Sequence, residues 1–168
     1  QALQYCILTA GRSGEVRGAT WREIDLRKAE WTIPAERMKA GKEHRVSLSP
    51  RALEILQQLA IGHADEIIFK APRGGMLSDM TLGAVLKRMD VRVTVHGFRS
   101  TFRDWAGETT GFSREVIEHA LAHQLKDKAE AAYARGTLMQ KRQKLMDAWG
   151  SFCAQPNAAE AQVLQIKC

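Results

Sequence analysis

Between Trp21 and Leu48 the apolar residues change their spacing. Trp21, Ile24 and Leu26, then Trp31 and Ile33 before Pro34, and later Val46 and Leu48 form short period-two runs separated by polar turns. On both sides of this stretch the apolar residues recur at helical spacing instead. The pattern predicts a small antiparallel sheet set in a mainly α-helical chain, an α+β fold. The turn joining the last two runs, ERMKAGKEHR, is rich in Lys and Arg and contains Gly41.

Helical signals frame the sheet. Residues 1–10 carry Leu3, Cys6, Ile7 and Ala10 at helical spacing until Gly11 stops the pattern, and Ser13, Glu15 and Val16 open a short turn that Gly18 closes. Ser49 and Pro50 make an N-cap and N1 pair, followed by Ala52, Leu53, Leu56, Leu59 and Ala60 on one face. Residues 67–69 (Ile-Ile-Phe) read as a short strand and PRGG at 72–75 as a loop. Leu82, Val85, Leu86 and Met89 mark a further helix. From His96 to Trp149 the chain reads as helical almost throughout, with breaks at Gly111, around Leu125 to Asp127 and at Gly136. The tail 153–168 is polar, with no clear core face.

Composition narrows the class. The 168 residues, 45% of them hydrophobic and 26% charged, suit one ordinary globular domain and exclude wholesale disorder. No apolar run approaches the roughly 18 residues of a spanning helix, and the first residues lack the features of a secretion signal. Three widely spaced cysteines, Cys6, Cys153 and Cys168, suit a reducing cytoplasm better than a disulfide scaffold. A net charge of +6 favours a polyanionic partner. The chain starts at Gln1 without an initiator Met, and it is expected to be a piece of a longer protein.

Several polar residues have the types and spacing that phosphate chemistry uses. His96 and Arg99, three residues apart at a helix start, share one face and are able to meet one phosphate. Alternatively, His96 caps the helix and Arg99 pairs with a carboxylate. Arg12 stands in the Gly-flanked turn TAGRSGE, where a planar guanidinium suits phosphate oxygens or a surface pair with Glu15. Lys39 and Lys42 occupy the hairpin tip MKAGK, as proton donors or as ordinary solvated cations. His119 and His123 are at i and i+4, the spacing of helical zinc ligands, but Glu118 precedes the first His, so the HExxH pattern is missing. Tyr133, one of two tyrosines, lies among alanines in AAYARG, where core packing is the ordinary alternative.

Taken in order, the Arg of TAGRSGEV, Trp-x-x-Ile-Asp in ATWREIDL, Lys in a β-hairpin, HGFR, LAH and AYARG resemble the catalytic domain of tyrosine recombinases. The likeness is greatest to phage and genomic-island integrases and covers about Leu8 to Phe152. It implies a catalytic domain at 1–152, with N-terminal DNA-binding domains elsewhere in a longer chain and a tail at 153–168. In such enzymes a tyrosine attacks a DNA phosphodiester to give a 3′-phosphotyrosyl link and a free 5′-hydroxyl. The resemblance implies Tyr133 as nucleophile, Arg12 and Arg99 as clamps on the non-bridging oxygens, and His123 as a further hydrogen-bond donor. It implies Lys39 as proton donor to the leaving 5′-oxygen, His96 as acid or base toward the tyrosine, and Glu15 as the residue that positions Arg12. Lys39 is preferred to Lys42 because it precedes the Gly turn, although Ala40 replaces the usual Thr and Ser47 stands where many relatives have Pro.

The implied chemistry needs no cofactor, metal ion or ATP, because arginines stand where a metal would and the phosphotyrosine stores the bond energy. Both candidate segments, around residues 36–51 and 85–103, carry more Lys and Arg than Asp and Glu. Lys42, Arg45 and Arg103 are the expected DNA-binding cations among them. The implied partners are double-stranded DNA at attachment sites, further protomers in a tetramer, and an excision factor, in a bacterial cytoplasm and without a membrane. The rival readings are a type IB topoisomerase and a catalytically silent DNA-binding module. The tail is expected to pack on an adjacent protomer.

Overall fold

The computed structural model describes residues 1–123 and 138–155. Tyr133, the breaks expected around residues 125–127 and at Gly136, and the tail from residue 156 lie outside the described residues. Helices α1 (Ala2–Leu8) and α2 (Ser13–Arg17) lead into a three-stranded antiparallel sheet of β1 (Ile24–Asp25), β2 (Glu30–Ile33) and β3 (His44–Ser47), in the order β1-β2-β3. Then come α3 (Pro50–Gln57), α4 (Thr81–Arg88), α5 (Gly97–Thr109), α6 (Arg114–Ala120) and α7 (Leu138–Ala154). The α+β class with a small sheet is what the change in apolar spacing predicts.

In the sheet, Trp31 pairs with both Ile24 and Val46, and Ile33 pairs with His44. Trp31 and Ile33 are fully buried, and Glu30 and Thr32, which alternate with them, are not, as period-two burial requires. Strand β1 is shorter than the run from Trp21 to Leu26, because Trp21–Glu23 form a 3-10 turn. That turn lets Trp21 and Glu23 both point inward.

Ser49 caps α3 through its Oγ, which accepts from the Ala52 N–H at 3.3 Å, with Pro50 at N1. The helix stops at Gln57, so Leu59 and Ala60 lie beyond it and Ala60 is exposed, where the sequence suggested a continuing face. The strand expected at residues 67–69 is also absent. Only isolated bridges, Thr20 to Ile67 and Lys70 to Met76, form there. Ile68 and Phe69 are consecutive and both 5% exposed, and a strand cannot turn two neighbours to one side. The backbone bends to plug the core instead. Helix α6 ends at Ala120, so the break in the long helical stretch comes before His123.

Two apolar clusters result. One packs α1, the sheet, α3 and α4 around Tyr5, Trp31, Leu48, Leu56 and Leu82, and the other packs α5, α6 and α7 around Phe102, Leu121, Leu145 and Trp149. Helix α7 bridges them. Trp149 Nε1 donates to the Ile7 carbonyl at 2.9 Å, and Gln143 Nε2 donates to the Leu48 carbonyl at 3.1 Å. Gly150 permits this closeness, since a Cβ there would come within 2.8 Å of Ser49 Oγ. The C-terminal ends of α1 and α6 and the start of β3 meet where the two clusters join, beside Arg99 and around a crevice too narrow to admit a water molecule.

Candidate active site

The turn after α1 is built to present Arg12. Thr9 Oγ1 donates to the Tyr5 carbonyl at 2.7 Å, Cys6 Sγ donates to the Gly11 carbonyl at 3.3 Å, and Ala10 adopts a left-handed φ of 47°. Burial pushes the Cys6 thiol up to about 12, against the nearby charge of Arg99, so the sulfur stays protonated as a donor. Arg12 then stands at the N-cap of α2. Glu15, only 6% exposed, accepts the Arg12 backbone N–H at 2.8 Å with one oxygen and the Arg12 guanidinium at 2.7 Å with the other. The predicted pair of Arg12 and Glu15 is therefore present. Its carboxylate is buried and holds both the backbone and the side chain of Arg12, which is more than a surface ion pair does.

Arg99 lies on the first turn of α5 and is 6% exposed. Its Nη1 donates to the Ala10 carbonyl and its Nη2 to the Leu121 carbonyl at 2.7 Å. Among the described residues no carboxylate pairs with it, unlike the alternative the sequence left open. It satisfies carbonyls at the C-terminal ends of α1 and α6, which those helices cannot satisfy themselves. Ala10 and Ala122, which follows Leu121, both have positive φ, at 47° and 53°. Each such residue costs roughly 1–2 kcal/mol, and the Arg99 hydrogen bonds offset it. Desolvation, then the positive charge of Arg12, lowers the Arg99 pKa to about 10 despite the opposing charge of Glu15. Two guanidiniums therefore share a small volume with one carboxylate, and an anion would relieve their repulsion.

His123 follows α6, 42% exposed. Its Nδ1 meets Glu118 Oε2 at 2.5 Å, and its backbone N–H donates to the Glu118 carbonyl at 2.9 Å. Glu118 Oε1 also accepts from Arg103 Nε at 2.7 Å. Burial works against the charge on Glu118, but the bonds from His123 and Arg103 hold its pKa below the usual value. With Nδ1 tied to the Glu118 carboxylate, Nε2 is the ring nitrogen left for a phosphate oxygen, and it donates there when the ring is doubly protonated. Among the described residues no group of three or more His, Cys, Asp or Glu is arranged to hold a metal ion.

His96 occupies the N-cap of α5, exposed, and its side chain makes no capping bond. Lys39 and Lys42 are exposed on the loop between β2 and β3, where Gly41 takes a φ of 60°. Arg45, beside Lys42, is paired with Glu43 at 3.1 Å and Glu30 at 3.8 Å, and Arg103 with Glu118 as above. Both Arg45 and Arg103 thus have part of their charge engaged within the protein. Tyr5, the second tyrosine, is fully buried, its hydroxyl has no partner among the described residues, and burial followed by the charge of Glu23 raises its pKa well above the ordinary value.

His44 is a residue that sequence reasoning missed. It pairs with Ile33 in β3 and lines the crevice with Glu15, Arg99 and Ala120. Burial and the charge of Arg142 push it down to about 4, against Glu15 and a hydrogen bond from the imidazole to the Ala120 backbone carbonyl. It is a neutral imidazole beside two cations. No spacing rule flags a lone His at a strand start, and only its place next to a Lys/Arg-rich turn gave a signal.

Residues 1–138 match the model described as the phage integrase family. The chain is 36% identical over 151 residues to the prophage integrase IntA of Escherichia coli strain K12, covering 87% of this chain and 36% of that protein. It is 33% identical to the integrase of Enterobacteria phage P4 (88% of this chain, 38% of that one) and 34% identical to the prophage integrase IntZ of E. coli K12 (86% and 37%). The chain therefore spans a little over a third of the length of these relatives. No solved structure matches it.

Proposed function

Because the chain belongs to the phage integrase family, we propose that it forms the catalytic part of an integrase that cleaves and rejoins DNA strands through a phosphotyrosine on Tyr133. The observation that carries this reading is the placement of two guanidiniums around one carboxylate, Arg12 held by Glu15 at 2.7 Å and the buried Arg99 held by the Ala10 and Leu121 carbonyls. A phosphodiester entering that volume supplies the missing negative charge. Tyr133 is the nucleophile that the resemblance of AYARG to the family motif implies, and Tyr5, the other tyrosine of this chain, is sealed in the core.

In the proposed reaction the Tyr133 oxygen attacks phosphorus and its proton passes to His96. The P–O5′ bond breaks, and the leaving 5′-oxygen takes a proton from Lys39. A 5′-hydroxyl from the partner strand reverses the step. Charge develops on the non-bridging oxygens as tyrosine attacks, and fixed donors from Arg12, Arg99 and His123 act there, each worth roughly a hundred- to a thousandfold. A positioned proton donor adds roughly a hundred- to ten-thousandfold. Glu15 fixes Arg12 and Glu118 fixes His123, so neither donor reorganises during the reaction. Arginines supply the positive charge, so the chemistry draws on neither metal nor ATP.

The DNA would be duplex attachment sites brought together by several protomers, with Lys42, Arg45 and Arg103 as backbone contacts and an excision factor as a further partner. No helix among the described residues is long and apolar enough to cross a membrane, in keeping with action on DNA in the cytoplasm.

A nicked suicide duplex tests the reading. The protein should trap a covalent 3′-phosphate complex in EDTA, and Tyr133→Phe should abolish the complex while DNA binding persists. A strict requirement for a metal ion, or an adduct on Tyr5, overturns the mechanism. Strand exchange between two duplexes, without relaxation of a single supercoiled circle, separates an integrase from a topoisomerase.

A further inference from the structure

Arg37 lies two residues before Lys39, yet it is turned away from solvent. It closes the 3-10 turn Ala35–Arg37, and its side chain is 22% exposed. Nη1 donates to both carboxylate oxygens of Glu23, and Nη2 donates to the backbone carbonyl of Glu15. Glu23 is itself 7% exposed and accepts the indole N–H of the fully buried Trp31 at 2.9 Å. Room for the guanidinium comes from Gly18, where a Cβ would stand 3.0 Å from Arg37 Nη2. Met38, the next residue, is buried, and exposure begins at Lys39. The loop is thus pinned up to residue 38 and released at the residue assigned to proton transfer.

Glu15 is common to both attachments. Its carboxylate holds Arg12, and its backbone carbonyl holds Arg37. The phosphate clamp and the root of the Lys39 loop are therefore tied to one residue of α2. We propose that Arg37 is a positioning residue that sets Lys39 at a fixed distance from the phosphate held by Arg12. The inference rests on the roles of Lys39 and Arg12 under Proposed function. It adds a separate claim, that the proton-donating half of the site is registered to the phosphate-binding half through a buried guanidinium. A displacement of about 1 Å in such a donor is enough to cost about a hundredfold.

The experiment is single-turnover cleavage of two duplexes, one natural and one with sulfur replacing the bridging 5′-oxygen at the scissile phosphate. When the P–S bond breaks, the thiolate departs as an anion and needs no proton. Arg37→Gln should slow cleavage of the natural duplex by roughly ten- to a hundredfold and that of the sulfur duplex by less than about threefold, a window set by the worth of a positioned donor. Arg37→Lys, which keeps the charge without the planar fork, should give an intermediate loss with the same rescue. Gly18→Ala displaces the guanidinium without removing it and should repeat the pattern more weakly, even if Arg37→Gln fails to fold. Lys39→Ala should be rescued by sulfur, and Arg12→Ala should not. Equal losses on both duplexes for all three positioning variants would overturn the role of Arg37. Absence of rescue for Lys39→Ala, with rescue for Lys42→Ala and Arg37→Gln, would instead move the proton donor to Lys42 and leave Arg37 as the residue that places the loop.

Discussion

Arg12 and Arg99 bring their charges to the same small volume, but the chain holds them by different means. Arg12 is 29% exposed and tied to a carboxylate on its own helix, Glu15, three residues on. Arg99 is 6% exposed and tied to two backbone carbonyls that belong to distant helix ends. The first arrangement is local, neutralised by its partner and replaceable in folding terms. The second joins α1 to α6 and leaves a full charge without a carboxylate. One arginine is thus held as a reagent, and the other is a reagent that also closes the fold.

Substitution should separate these roles. Arg12→Ala should slow covalent complex formation by roughly a hundred- to a thousandfold, while urea denaturation reports a stability loss of only about 1 kcal/mol. Arg99→Gln should lose comparable activity and in addition about 3 kcal/mol of stability, because two buried carbonyls lose their donors. Similar denaturation midpoints for the two variants would erase the distinction.

Acid should act on the crevice beside Arg99. The His44 pKa falls from the ordinary 6.5 to about 4 in the folded chain, so the unfolded chain takes up a proton first as pH drops. Stability from this group is complete above about pH 6.5 and is lost progressively toward pH 4, by roughly 2 kcal/mol. His44→Gln should flatten that part of the stability profile measured by urea denaturation at each pH. An unchanged acid slope would show that the imidazole is solvated and not lodged beside Glu15 and Arg99.

The smallest effect concerns surface cations. Lys42→Ala should lower the slope of log binding constant against log salt by about one, as for a single phosphate contact. Arg103→Ala should change it less, since Glu118 already accepts from that guanidinium. Equal slopes for both variants would place Arg103 on DNA despite its carboxylate.

What the sequence made legible was local. The Ser49 and Pro50 pair, the period-two burial of Trp31 and Ile33, and the turn that holds Arg12 against Glu15 each depend on neighbours within a few residues. The family motifs named Arg99 and His123 without showing what holds them. What could not be read depends on contacts between distant segments. Ala10 and Ala122 adopt left-handed conformations where glycine or asparagine would be expected, held by helix-end backbone bonds and by the donors of Arg99, from α5. Ile68 and Phe69 look like strand residues until the core needs both on one side. His44 and Arg37 sit in a segment whose Lys and Arg content suggested solvent. Their partial burial follows from contacts with Glu15 and Glu23 for Arg37 and with Glu15, Arg99 and Ala120 for His44, which no local pattern encodes.

The bond from Trp149 to the carbonyl of Ile7 ties the last described helix to the first across 142 positions. A chain emerging from the ribosome can form α1, the sheet and α3 early, since their contacts are near in sequence. The end of α1 and the cluster around Phe102 stay without their cover until α7 has been made. Closing so long a loop is slow compared with forming local turns. Completion of the domain is thereby deferred until α7 has been made, and a chain truncated before Trp149 is expected to remain partly folded, with the backbone that carries Arg12 unsecured.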